Sequence, residues 1–232
     1  MIDIDKKKID KIKDHGVIIQ EDNSEFIAYP NAVSDSVDIC PVDLLIVFVK
    51  AMYSKDALSS NKHLIGSNTY VMTLQNGSGH EDILLEFVPE DRIIIGTTQH
   101  NSSMIAPGHV HHDGKGLTQI GLLKGDSKKL QCMADNFTSC GFKTVVSDNV
   151  KKQIWEKLLL NSSASILTAI LQVKLGYILN NPHAWSLAEK LIREAVLVAN
   201  AEGIEFDARF LPIFFYIISA LLTLLYKTQF YP

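Results

Sequence analysis

Two segments of the chain constrain its fold more than any other feature. Val42–Lys50 (VDLLIVFVK) and Tyr70–Gly79 (YVMTLQNGSG) each contain an apolar run of strand length that ends in polar residues. We predict that they form consecutive parallel strands of an open α/β sheet, linked by a crossover that contains a helix. Because such sheets bind ligands at the carboxyl ends of their strands, Lys50, Asn76 and Gly77 are candidate binding residues. A strand-terminal lysine and a simple Asn-Gly turn are the structural alternatives.

The glycine-rich loop that would complete a dinucleotide site is not visible in this sequence. No Gly-x-Gly-x-x-Gly precedes the two strands. Gly77-Ser78-Gly79 follows a strand and precedes a helix, but Asp82 stands where the third glycine belongs. A lone Gly-x-Gly is weak evidence, so we do not assign phosphate binding to it.

The hydrophobic period divides the chain near residue 147. Strand and helix patterns alternate up to that point, whereas only the helical period follows it. The fold class is thus predicted as α/β: an incomplete Rossmann-like doubly wound domain, residues 1–147, followed by an all-α domain, residues 148–232. Continuous helices are expected over about 149–173 and 182–202.

Two hairpins are predicted within the first domain. Val17–Glu21 and Glu25–Tyr29 alternate in a way that favours a short hairpin. His109–His112 and Leu117–Gly121 are predicted to pair around Asp113–Gly114, which is a typical tight-turn dipeptide.

Composition excludes some classes of partner. The net charge of -4 offers no basic field, so nucleic acid is disfavoured as a partner. The three cysteines, Cys40, Cys132 and Cys140, form no disulfide framework and no metal-ligand spacing. Together with the charged N-terminal sequence, which has no signal-peptide core, this cysteine usage predicts a cytoplasmic location.

One apolar segment stands near the C-terminus. Phe210–Tyr226 carries no charge and is flanked by Arg209 and Lys227. A spanning helix needs about 20 apolar residues, and this run is shorter and contains Pro212. A membrane span is therefore disfavoured against a buried helix or a foreign, out-of-frame sequence.

Lys157, Asn161 and Ser165 are the candidate catalytic and binding residues of the helical domain. Their i, i+4 and i+8 spacing places them on one face of a continuous α-helix. An ammonium group can stabilise and protonate the oxygen of a carbonyl during its reduction, and an amide can hydrogen-bond the same substrate. A solvated helix face with no such role is the alternative.

Four histidines invite a metal interpretation, which the sequence does not support. His109 and His111 would share one face of a strand, and His100 and His112 lie nearby in the chain. No cysteine or carboxylate stands at ligand spacing to complete a zinc site. We therefore predict no metal and interpret these side chains as solvated hairpin histidines.

With these segments in order, the chain resembles the 2-dehydropantoate 2-reductase (ketopantoate reductase) family between about Ile2 and Asp207. The resemblance rests on six motifs: DLLIVFVKA (Asp43–Ala51), LQNGSG (Leu74–Gly79), IIIGTTQH (Ile93–His100), GHVHHDGKGLTQIG (Gly108–Gly121), WEKLLLNSS (Trp155–Ser163) and EAVLVANAEGI (Glu194–Ile204).

The resemblance implies NADPH-dependent reduction of 2-dehydropantoate, a small 2-keto acid, to pantoate in pantothenate biosynthesis. It implies that Lys157 is the catalytic lysine and Asn161 a substrate-binding asparagine. Asn76, with Gly77 beside it, and Lys50 correspond to cofactor-contacting positions. The second domain, which is helical, would bind substrate. The resemblance leaves open whether the chain forms a homodimer.

Departures from the family pattern leave several alternatives open. Ser165 stands where the family often has a second substrate asparagine, which allows a related reductase of another 2-keto acid. The expected first βα unit and later helices are not seen, so we expect a chain truncated at both ends, and a non-catalytic remnant is the rival hypothesis. Asp3 and Asp5 suit a ribose 2′-hydroxyl and Lys6–Lys8 a 2′-phosphate, so NAD and NADP remain alternatives.

Overall fold

The computed structural model describes residues 1–22 and 24–206. The chain divides into two compact units, Met1–Val150 and Lys151–Pro232. The described helices and strands of the first unit are, in order, α1 (Lys6–His15), β1 (Val17–Glu21), β2 (Ser24–Ala28), β3 (Leu44–Val47), α2 (Ser54–Ser60), β4 (Tyr70–Thr73), α3 (His80–Leu84), β5 (Ile93–Thr98), β6 (Asn101–Ala106), β7 (His109–Gly114), β8 (Thr118–Leu122), α4 (Gln131–Ser139) and β9 (Thr144–Val146).

A five-stranded sheet forms the centre of the first unit, with the strand order β3-β4-β5-β8-β9. β3, β4 and β5 run parallel, β8 is antiparallel to β5, and β9 is parallel to β8. Because the first three strands are parallel, their carboxyl ends share one edge of the sheet. The predicted α/β fold class is confirmed.

The core of this unit lies between the sheet and α4. Met72, Ile94 and Ile120 are buried together with Leu130 and Ala134. Although β3 is a continuous apolar run, three of its four residues are only half-buried. The reason is its place in the strand order, since among the described residues β3 pairs with β4 alone.

A second sheet of four strands has the order β2-β1-β7-β6. The predicted β1–β2 hairpin is confirmed, with Ile19 opposite Phe26. The second predicted hairpin is wrong. β7 pairs with β6 across the Pro107–Gly108 turn, and β8 pairs with β5 in the other sheet.

The described part of the second unit is helical. Its elements are α5 (Val150–Leu160), which begins at the unit boundary, a π-helical turn (Asn161–Ser165), α6 (Ile166–Leu171), α7 (Leu175–Asn180) and α8 (Pro182–Ala201). The predicted all-α region is thus confirmed, although α7 was not anticipated. Asn181 caps α8, because its side-chain oxygen accepts from the backbone N–H groups of His183 and Ala184.

Within residues 1–22 and 24–206, none of the helices has the length and apolar character that crossing a bilayer requires. Phe210–Tyr226, for which a membrane span was considered, lies outside the described residues.

Candidate functional site

Lys50 follows the end of β3 and opens the turn that leads into α2. Its backbone carbonyl accepts from the N–H of Tyr53 at 2.8 Å, which closes a 3₁₀ turn over Ala51–Tyr53. The Lys50 side chain is exposed at the carboxyl edge of the sheet. An exposed ammonium group at this edge is able to contact an anionic ligand.

Asn76 and Gly77 follow β4 at the same edge of the sheet. Gly77 has φ +112°, a backbone conformation that side chains with a Cβ rarely adopt. The loop closes on itself, because the Nε2 of His80 lies 2.9 Å from the carbonyl oxygen of Asn76. The Asn76 side chain remains exposed and available to a ligand.

Gln75 connects these two loops, and the sequence analysis missed it. Its amide donates to the carbonyl of Val49 at the end of β3 and to the hydroxyl of Ser54 at 3.0 Å. Its carbonyl oxygen accepts from the hydroxyl of Thr73 at 2.9 Å. Its position directly before Asn76 was the available signal, but the pairing of β3 with β4 is needed to interpret it.

Lys157 lies on α5, and the residues two positions before and after it bury this helix. Trp155 and Leu159 are buried, and Leu159 contacts Ile192 and Val196 of α8. The Lys157 side chain is half-buried, and this burial lowers the pKa of its ammonium group. Such a group gives up its proton more readily than an ordinary lysine.

Asn161 and Ser165 lie on the π-helical turn that follows α5. Asn161 is half-buried and Ser165 is exposed. The expectation of one continuous α-helix from 149 to 173 is therefore wrong, because a wider turn interrupts it and α6 ends at Leu171. The angle around the helix axis between Lys157 and Ser165 therefore differs from that in a regular α-helix.

The predicted residues fall into two sets. Lys50, Asn76 and Gly77 follow neighbouring strands of the first unit, and Lys157 and Asn161 lie on consecutive helical segments of the second unit, with Ser165 at the end of that π turn. In the first unit the predicted residues lie in the loops at the carboxyl ends of β3 and β4, and in the second unit they lie on α5 and the π-helical turn.

His100 and His112, the latter on β7, form a hydrogen-bonded network with Glu21, so the expectation of solvated hairpin histidines is wrong for this pair. His100 Nδ1 lies 3.0 Å from His112 Nε2, and His112 Nδ1 lies 2.9 Å from a carboxylate oxygen of Glu21. Lys115 also contacts Glu21, at 3.0 Å. The hydrogen bond from His112 and then that from Lys115 lower the pKa of Glu21. Among the described residues no group of three or more potential ligands is arranged to hold a metal ion.

Comparison with protein families gives two matches. The family described as ketopantoate reductase PanE/ApbA matches residues 1–125, and the one described as its C-terminal domain matches residues 149–229. The second match extends beyond Asp207, so the expectation that the resemblance stops there is wrong.

Comparison with individual proteins agrees with these matches. The chain is 32% identical to the 2-dehydropantoate 2-reductase of Halobacterium salinarum over 84% of its own length, and 35% identical to that of Pyrococcus abyssi over 75%. It spans 64% and 57% of the lengths of these two relatives.

Solved structures show the same fold. A ternary complex of D-mandelate dehydrogenase with NADH and anilino(oxo)acetate has a TM-score of 0.84 at 31% identity, over 90% of this chain and 68% of the other. The 2-dehydropantoate 2-reductase of Geobacter metallireducens has a TM-score of 0.83 at 26% identity, over 98% of this chain and 75% of the other.

Proposed function

Because the chain belongs to the ketopantoate reductase family, we propose that it reduces 2-dehydropantoate to pantoate with NADPH, in pantothenate biosynthesis. The observation that carries this proposal is the half-buried Lys157, whose pKa is lowered by burial. A lowered pKa makes the ammonium a better proton donor near neutral pH.

The chemistry requires a proton donor at the substrate oxygen. When bound, a reduced nicotinamide supplies a hydride to the carbonyl carbon. Lys157 stabilises the negative charge that develops on the carbonyl oxygen and donates a proton from Nζ to it. The Asn161 amide donates a hydrogen bond to the same substrate and fixes its orientation. Ser165 offers a third, shorter hydrogen-bonding group.

The carboxyl edge of β3 and β4 fits a nicotinamide cofactor. Lys50 and Asn76 offer exposed donors there, and the positive φ of Gly77 forms a tight turn beside them. Exposed apolar side chains beside Lys50 provide surface for planar rings: Phe48, Val49, Met52 and Tyr53. We therefore assign cofactor contacts to this edge.

The first turn of α1 supports NADPH over NADH. The carboxylate of Asp3 is bound to the ammonium of Lys8 at 2.5 Å, and the Asp5 side chain accepts from the N–H of Lys8 to cap the helix. Both acidic groups are thus engaged within the protein. Lys6 and Lys7 are exposed at the positive end of the helix dipole, which suits a 2′-phosphate.

Titration of the purified chain tests cofactor binding. NADPH is added while nicotinamide fluorescence is followed, and we expect saturation with tighter binding than for NADH. The double variant Lys6→Ala/Lys7→Ala should weaken NADPH binding and leave NADH binding unchanged. Equal loss for both cofactors would contradict the 2′-phosphate assignment, and a flat trace would support the non-catalytic alternative.

Turnover of 2-dehydropantoate tests the role of Lys157. Lys157→Met should lower kcat by about 10²- to 10⁴-fold, the usual contribution of a positioned acid. Lys190→Met makes the same chemical change at an exposed position of α8 and should leave kcat unchanged. Equal activity of the two variants would overturn the assignment of Lys157.

A related 2-keto acid is the second candidate substrate. Its support is the similarity to D-mandelate dehydrogenase, which has a TM-score of 0.84, together with Ser165 in place of an asparagine. Comparing kcat/KM for 2-dehydropantoate and for the keto acid of mandelate separates the two. Preference for the aromatic keto acid would favour this second candidate, and Ser165→Asn should then shift preference towards 2-dehydropantoate.

A further inference from the structure

The π-helical turn between α5 and α6 changes the geometry of the proposed substrate residues. An α-helix turns by about 100° per residue, so residues eight apart would differ by about 80° around the axis. A π turn inserts one extra residue, because its N–H groups bond five residues back instead of four. Ser165 then takes the angular place of a residue seven positions after Lys157. The difference falls to about 20°.

The inserted turn therefore brings Ser165 towards the face that carries Lys157. Asn161 opens the turn and keeps its ordinary i+4 relation to Lys157, about 40° around the axis. With the π turn, the three side chains span a narrower sector of the helix than a regular α-helix allows. A π turn is rare and energetically poorer than an α turn, so something has to stabilise it.

The buried hydroxyl of Ser163 is hydrogen-bonded to the backbone at this turn. Its hydroxyl donates to the carbonyl of Leu159 at 2.6 Å and lies 3.3 Å from the carbonyl of Leu160. These carbonyls lie at the α-to-π junction, where the backbone hydrogen-bond pattern changes. The Ser163 side chain is 0% exposed. Ser162 lies 3.3 Å from the Leu159 carbonyl but is less buried.

We propose that Ser163 is a positioning residue, whose buried hydroxyl maintains the π turn and thereby aligns Ser165 with Lys157 and Asn161. This role rests on the proposed function, in which those three residues contact the keto acid. Ser163 itself acts only through the helix geometry. Without its hydroxyl the junction carbonyls lose their buried donor, and the segment favours a regular α-helix, in which Ser165 lies about 80° from Lys157 instead of about 20°.

The test compares Ser163→Ala with Ser163→Thr, which keeps a hydroxyl, and with Ser186→Ala, an exposed position of α8. We expect Ser163→Ala to raise KM for the keto acid about tenfold, the effect of one weakened hydrogen bond. The alkaline limb of its pH profile, which reports Lys157, should not move. Ser163→Thr should restore KM, and Ser186→Ala should match the parent protein.

A structural readout separates this inference from the proposed function. Crystal structures or NMR contacts of each variant report whether residues 161–165 keep the π turn, whatever the activity. A Ser163→Ala protein that keeps the π turn, or that loses it with KM unchanged, would overturn the positioning role. An inactive parent protein, or a fully active Lys157→Met, would instead contradict the proposed function. Should Ser163→Ala not fold, Ser163→Cys, with a weakly donating thiol of similar size, should show a smaller rise in KM.

Discussion

The packing of α5 onto α8 allows a quantitative prediction about the helix that carries Lys157. Leu159 is 1% exposed and contacts Ile192 and Val196 across this helix pair. Leu159→Ala removes three carbon atoms from the contact. At about 0.8 kcal/mol for each buried carbon, the transfer cost is about 2.4 kcal/mol. The residual cavity adds to this cost, so we expect a loss of about 3 kcal/mol, within the usual range for such substitutions.

Urea unfolding followed by tryptophan fluorescence measures this loss with a signal that comes from the second unit. Both tryptophans of the chain, Trp155 and Trp185, lie in that unit, and Trp185 packs against the Leu159 cluster. With a denaturant slope of about 2 kcal/mol per molar, the midpoint should fall by about 1.5 M. The slope itself should not change, since the surface exposed on unfolding is nearly the same.

Leu197→Ala provides the matched control on the other face of α8. Leu197 is 70% exposed, so the same substitution should change the free energy of unfolding by less than about 0.5 kcal/mol. Similar losses for Leu159→Ala and Leu197→Ala would refute the reasoning, because burial would then not decide the cost. A loss below about 1 kcal/mol for Leu159→Ala would refute it as well.

Three further predictions concern proton transfer, acid stability and sheet packing. Because burial lowers the pKa of Lys157, kcat should fall with rising pH below the range of an ordinary lysine, and Lys157→Arg should abolish that limb along with most of the rate. Burial and a neighbouring imidazole lower the pKa of His100, so the unfolded chain binds more protons. Circular dichroism should therefore show stability that is present above about pH 6.5 and lost as pH falls, with a smaller loss in His100→Gln; an equal loss would contradict this origin. A Cβ at Gly96 would lie 2.4 Å from the carbonyl oxygen of Gln119, so Gly96→Ala should cost about 1–3 kcal/mol by thermal unfolding. A Cβ at Gly114 would meet no atom within 4 Å, so Gly114→Ala should not carry this cost. Equal costs for the two substitutions would contradict the predicted clash.

Local patterns in the sequence were sufficient to predict β1, β2 and the parallel strands β3 and β4. Each of these segments has a regular apolar pattern bounded by polar or turn residues. The second hairpin was wrong because the partner of β7 is the polar segment Asn101–Ala106, which has little apolar pattern. The Pro107–Gly108 turn was the available signal, and it is a stronger chain reversal than the Asp113–Gly114 pair that was used.

The candidate site was predictable in its residue types but not in its backbone. Lys157 and Asn161 follow from helical spacing and from the family motif, whereas the π turn leaves no trace in the hydrophobic period. Which carbonyls Ser163 bonds is decided by the backbone, so this residue could not be singled out from the sequence. The same holds for Gln75, whose partners come from three different segments.

Gln75 couples the two loops at the carboxyl edge of β3 and β4, the edge to which we assigned the cofactor contacts. Its single amide ties the turn that begins at Lys50 to the loop that begins at Asn76, so neither can shift without breaking a bond held by the other. Energies of ligand contact at the two positions should therefore not add in a double-mutant cycle. A shift of one loop is therefore transmitted to the other through the Gln75 side chain, which itself need not contact the ligand.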